Sequence, residues 1–170
     1  MYVVLTGPPA SGKSTLSRAL AGELGLPLLA KDTIKQALLG ELGAADVQES
    51  RRLGGAAVAA LLAVARDAGS AVLDSVWVDR DRSVRRLRDL GFVVEVFCRA
   101  DVALMRSRYE ERAPGKGEGH FDEQRPDQEL WPDDALRPLA GGWPVVEVDA
   151  SGPVDVHQVA ERVRRTRSRR

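Results

Sequence analysis

The sequence predicts a three-layer α/β domain, a parallel sheet covered by helices on both faces, with one phosphate-binding loop at its centre. Three observations carry this. Five apolar runs, Tyr2–Thr6, Pro27–Ala30, Ala71–Leu73, Phe92–Cys98 and Val145–Val148, are mostly continuous rather than alternating, as strands buried on both faces are. Helical patterns alternate with them at Lys13–Leu24, Asp32–Leu42, Val47–Ala68, Arg80–Asp89, Val102–Arg112 and Val154–Arg167. The first run leads directly into Gly7-Pro8-Pro9-Ala10-Ser11-Gly12-Lys13-Ser14, which satisfies G-x-x-x-x-G-K-[ST] at every defined position and opens a helix.

That loop is read first because its chemistry requires these residue types. Phosphate oxygens must meet backbone N–H groups that point into one concavity. Glycines at both ends permit the tight wrap, having no side chain to obstruct it. The helix starting at Lys13 adds unpaired N–H groups and a partial positive charge. Lys13 would bring a full charge to the β- and γ-phosphates, and Ser14 a hydroxyl to Mg²⁺. Leu16, Ala19 and Leu20 supply the buried stripe of this helix, and Gly25 stops it.

The second strand ends at Ala30, so Asp32 sits at the carboxyl edge of the sheet, where ligands bind in open parallel sheets. Two readings of Asp32 stand on local grounds: a carboxylate that takes a proton from an attacking hydroxyl, or an N-cap for the helix that follows. The alanine-rich stretch Val47–Ala68 contains Gly54-Gly55 and is expected to break into two helices there. Ala71-Val72-Leu73-Asp74 is a buried strand ending in an acid able to hold Mg²⁺ or to cap a turn. Trp77, just beyond, either stacks on a planar substrate or packs. Asp79–Arg88 carries both charges on a solvated face, with Val84 and Leu87 inward.

After the fourth strand, Arg108 and Arg112 are four apart and share a helical face, with Arg106 on another. The glycine-rich segment 113–120 follows, ending in His120. Arginines entering such a loop suit a lid over a transferred phosphate, and an exposed charged helix is the plain alternative. The segment Phe121–Pro138, with Trp131, is polar and broken by prolines. The last helix buries Val156, Val159, Ala160 and Val163 and ends in an arginine-rich tail that reads as a solvated terminus or a nucleic-acid contact.

Composition narrows the class. The chain has 170 residues, 44% of them apolar, and zero formal net charge, so it is read as one domain without an overall nucleic-acid or membrane footprint. The one cysteine, Cys98, excludes an intramolecular disulfide and suits a reducing cytosol, where it is expected as a core thiol. No apolar segment approaches 18 residues, and neither a membrane span nor a targeting segment is expected.

With these residues in view, the chain resembles the small P-loop kinases related to zeta toxin, chloramphenicol phosphotransferase and the kinase domain of phage polynucleotide kinase. The resemblance rests on GPPASGKST at Gly7–Thr15, Asp32 in LLAKDTIKQAL, Asp74 in LDS, RSRYEER at Arg106–Arg112 and VDASGPVDV at Val148–Val156, which looks like an adenine-side loop. It implies a P-loop NTPase fold with a five-stranded parallel sheet of order 2-3-1-4-5, a single kinase domain over 1–170 and a lid at about 106–125. It implies ATP held by Gly7, Pro8, Pro9, Ala10, Ser11, Gly12, Lys13, Ser14 and Thr15, with Mg²⁺ on Ser14 and Asp74. Asp32 would be the general base, joined in catalysis by Lys13, Arg108 and Arg112. The expected activity is transfer of the γ-phosphoryl of ATP to a hydroxyl of a small metabolite or antibiotic. A 5′-hydroxyl of RNA or DNA is the second reading, and an ATP-binding module or slow ATPase switch a third from another class. No signature for shikimate, gluconate, a nucleoside monophosphate or chloramphenicol is present, and no N-K-x-D motif for guanine. A motor ATPase is not expected, since neither a helical lid domain nor a second arginine-finger region is visible.

Overall fold

The computed structural model describes residues 1–112 and 130–167, apart from the side chain of Arg112. Strand β1 (Tyr2–Thr6) lies at the centre of a five-stranded sheet, flanked by β3 (Ala71–Asp74) and β4 (Val93–Arg99). Strands β2 (Leu28–Ala30) and β5 (Val145–Asp149) form the edges. The order is β2-β3-β1-β4-β5 and every pairing is parallel, the order the kinase resemblance implies. Pro27 and Phe92 fall just outside their strands, yet their carbonyls still accept from Val72 N and Tyr2 N at 2.8 and 2.9 Å.

Alternation along each strand builds two cores. Val3 and Leu5 of β1 face one side with Val72, Val94, Val96 and Cys98, where helices α1 (Lys13–Leu24) and α6 (Val156–Arg167) cover them with Leu16, Leu20, Val159, Ala160 and Val163. Tyr2 and Val4 face the other side with Leu73 and Val93. There α3 (Val47–Ala68) and α4 (Arg80–Arg88) bring Leu61, Leu62, Ala65 and Leu87. Strands buried this way read as continuous apolar runs, which is why they stand out in the sequence. Helices α2 (Lys31–Leu42) and α5 (Val102–Arg112) complete the six α-helices of the described residues, with a short 3₁₀ turn at Asp133–Leu136.

The expected break in α3 does not occur: the helix is continuous for 22 residues through Gly54 and Gly55. Each glycine costs about 1 kcal/mol against alanine in a helix interior. A side-chain cap from Asp46 to Glu49 N at one end, a left-handed Gly69 at the other and burial of Ala57, Leu61, Leu62 and Ala65 between them outweigh that cost.

Glu95 is a feature of β4 that periodicity hid. It is fully buried, and its carboxylate accepts from Thr6 Oγ1, Leu139 N, Ala140 N and Trp143 Nε1 at 2.6–2.9 Å. Arg80 and Arg88 of α4 donate to the carbonyls of Leu139 and Gly141 from the other side. The segment before β5 is thereby fixed to the sheet. Among the described residues no helix is long and apolar enough to cross a membrane.

Candidate active site

The loop between β1 and α1 wraps as the glycine pattern requires. Gly7 has φ 129°, and a Cβ there would stand 2.4 Å from the Cys98 carbonyl oxygen and 3.0 Å from Ser11 Oγ. Only glycine fits that close approach. Gly12 has φ 89° and Ala10 φ 60°, so the loop turns through left-handed backbone three times before the helix begins. The N–H groups of Thr15 and Leu16 both reach back to Gly12 O at 3.1 Å, so α1 starts tightly behind the concavity.

Lys13 lies inside this loop, 6% exposed, with Nζ donating to Pro8 O at 3.0 Å. Burial lowers its pKa, and the carboxylates of Asp74 and Asp32 act against that lowering. The ammonium therefore sits in the field of both acids that the sequence singled out. Ser11 Oγ is fully buried beneath the loop and has no hydrogen-bond partner, an orphan that a native interior seldom tolerates. A glycine cradle, an aimed helix start, a buried ammonium and an unsatisfied hydroxyl together fit a phosphate chain.

Asp74 ends β3 and is buried. Its Oδ2 is 3.1 Å from Ser17 Oγ, and the same hydroxyl is 3.1 Å from Ser14 O. Ser17 thus links the two positions expected to hold Mg²⁺, and oxygen donors of this kind suit that cation. Ser17 escaped the sequence reading because a serine on the third turn-face of an amphipathic helix carries no signal of its own. It is found only from the contact between α1 and β3.

Asp32 falls in the first turn of α2. The N-cap is Ala30 and no side chain caps the helix, so the capping reading of Asp32 fails. Its carboxylate is 75% exposed and Oδ1 is 2.8 Å from Lys31 Nζ. Ala30 pairs with Asp74 across β2 and β3, so the two acids emerge side by side at the carboxyl edge of the sheet.

Trp77 donates its indole N–H to Leu5 O at 2.9 Å and packs on the second core, the packing role. Cys98 is fully buried in β4, and burial raises its pKa to about 12. Arg108 is engaged with the loop after β5, donating to the carbonyls of Ala150 and Ser151 at 3.0 and 3.1 Å. That loop borders Gly12, whose would-be Cβ is 3.4 Å from Ala150 Cβ. Above the loop apex, Trp131 donates to Pro9 O at 3.2 Å. The guanidinium of Arg106 lies 5.9 Å from its ring centroid, and Tyr109 meets it edge-on at 5.5 Å. The side chain of Arg112, His120 and most of the expected lid lie outside the described residues.

A family model described as an AAA domain matches residues 3–130. Comparison with curated proteins gives no match. Among solved structures, a "putative kinase" from Chloroflexus aurantiacus is 31% identical over 97% of each chain, with a TM-score of 0.87. A gluconokinase from Sinorhizobium meliloti is 17% identical, covering 99% of this chain and 91% of its own, with a TM-score of 0.58. A shikimate kinase from Aquifex aeolicus is 14% identical, covering 99% and 96%, with a TM-score of 0.57. At the two lower identities the likeness is one of fold.

Proposed function

Since the chain belongs to the AAA-domain family, and within it to the small P-loop kinases, we propose that it transfers the γ-phosphoryl group of ATP to a hydroxyl of a small acceptor. One observation carries this reading: the buried Lys13 of the glycine loop stands at the carboxyl edge of the sheet where Asp74 ends β3 and Asp32 follows β2. A donor-side cation and a metal-side acid are thereby set at the same sheet edge as an exposed carboxylate.

In this reading the loop amides from Gly7 to Thr15 and the Lys13 ammonium hold the β- and γ-phosphates. The acceptor oxygen forms its bond to the γ-phosphorus as the bond to the β-bridging oxygen breaks, and ADP leaves. Asp32 orients the hydroxyl and takes its proton. Magnesium, when bound by Ser14 and Asp74, supplies charge neutralisation on the phosphate oxygens. Arg108 fixes the loop at 149–153 against Gly12, while Arg106, carried on the ring of Trp131, is the arginine set toward the apex where negative charge develops. Arg112, whose side chain lies outside the described residues, keeps the part of a second lid arginine that the family resemblance implies. Sugar and shikimate acceptors of the structural neighbours make a small polyhydroxy compound the first class to try.

The test is purified protein with γ-labelled ATP and magnesium, screened against sugars, hydroxy acids, nucleosides, antibiotics and 5′-hydroxyl oligonucleotides. Label should move to a small acceptor in the wild type and not in Asp32→Asn, with ATP affinity retained in the variant. Label moving only to oligonucleotides would replace the acceptor class. Lys13-dependent ATP binding with no labelled product from any acceptor would reject transfer in favour of a binding module.

A further inference from the structure

Two details of α2 and α3 remain unexplained by the roles assigned above. The first is the contact between Lys31 and Asp32. Successive side chains on a helix diverge by about 100° and do not face one another, yet Lys31 Nζ stands 2.8 Å from Asp32 Oδ1. The second is Gly54, a glycine in the middle of a continuous helix, where it costs stability and makes no turn.

These two details meet. A Cβ on Gly54 would find one neighbour within 4 Å, Cε of Lys31, at 3.9 Å. Gly55, one residue on, faces open space. The Lys31 side chain is only 21% exposed, and its Cε is the atom that a Cβ on Gly54 would meet. Its stem therefore passes α3 at Gly54 on the way to the Asp32 carboxylate. A side chain longer than a methyl group at position 54 would occupy the track that the stem follows. Stability does not account for the pair, because an ion pair with a carboxylate this exposed contributes little.

We propose that Lys31 is a positioning residue for Asp32, and that Gly54 keeps open the track along which Lys31 reaches it. The inference rests on the reading of Asp32 as the base. Lys31 fixes the orientation of the carboxylate, and the space left by Gly54 fixes Lys31.

The experiment uses the full chain with ATP, magnesium and water as the acceptor, following phosphate release. A misplacement of about 1 Å at a reacting group costs on the order of 100-fold, so Lys31→Met should lower kcat by about 10- to 100-fold with KM for ATP unchanged. Lys31→Arg should recover much of that loss. In an Asp32→Asn background Lys31→Met should cost nothing further, since it acts through that carboxylate. Gly54→Leu should reproduce the loss while circular dichroism shows the helix retained, and Gly55→Leu should leave the rate unchanged. A rate within twofold of wild type for Lys31→Met, or an equal loss in the Asp32→Asn background, overturns the proposal. Loss with Gly55→Leu as large as with Gly54→Leu overturns the part assigned to Gly54. A hydrolysis rate that Asp32→Asn itself does not lower sinks the base reading and this inference with it, and that result is distinct from the others.

Discussion

Replacing Glu95 by glutamine tests how the chain beyond the site is held. The carboxylate is fully buried and takes two donors on each oxygen: Thr6 Oγ1 and Leu139 N on Oε1, Ala140 N and Trp143 Nε1 on Oε2. Glutamine has nearly the same shape but only one acceptor oxygen. Its amide nitrogen does least harm facing Thr6 and Leu139, where the hydroxyl can rotate to accept, but Leu139 N is then orphaned. An orphaned buried donor costs about 1–3 kcal/mol, and the remaining bonds lose their charge assistance. A destabilisation of about 2–4 kcal/mol follows, a large share of the roughly 5–15 kcal/mol typical of a domain. At about 2–4 °C per kcal/mol for a chain of this size, Tm should fall by roughly 4–16 °C. Urea unfolding gives the free energy directly, and ATP binding below the transition should persist, since none of these four hydrogen bonds comes from the loop between Gly7 and Thr15. A change below about 1 kcal/mol would show that four short bonds to a buried carboxylate do not anchor this segment.

Other substitutions separate function from stability. Lys13→Met should abolish ATP binding in calorimetry yet raise Tm at neutral pH, because it removes a buried ammonium. The folded pKa of Lys13 is lowered, so the unfolded chain holds that proton more tightly and wild-type stability gains as pH rises toward the ordinary 10.5. The gap between wild type and variant should therefore narrow with rising pH, and a widening gap would contradict the burial. Ser17→Ala should leave magnesium-free nucleotide affinity unchanged while raising the magnesium needed for tight binding by about tenfold, the scale seen when a ligand loses its supporting hydrogen bond. An unaltered magnesium dependence would remove Ser17 from the site. Cys98 has its pKa raised from 9.0 to about 12, so the unfolded chain ionises first and wild type should lose about 1.4 kcal/mol between pH 8 and pH 10 through this group. Unfolding of Cys98→Ala across the same range should lack that component, and identical pH slopes would refute it. Gly7→Ala, with its Cβ 2.4 Å from a backbone oxygen, should lose ATP binding altogether, as a thermal-shift titration would report.

The sequence determined the loop, the layer order and the strands, because these rest on local chemistry. A glycine cradle ahead of a helix is written in eight consecutive residues, and a strand buried on both faces is a run of apolar ones. It also placed Asp32 and Asp74 at the carboxyl edge of the sheet, since a residue following a parallel strand has nowhere else to go. Tertiary structure alone decided which partners these acids have. Ser17 reaches Asp74 because α1 packs beside β3, the Lys31 stem that ends at Asp32 passes α3 at Gly54, and Trp131 meets Pro9 across more than a hundred residues of chain. The continuity of α3 and the burial of Glu95 belong there too. A helix that local propensity would break survives when one face is buried, and a carboxylate that belongs in water stays inside when four donors converge on it from distant parts of the chain.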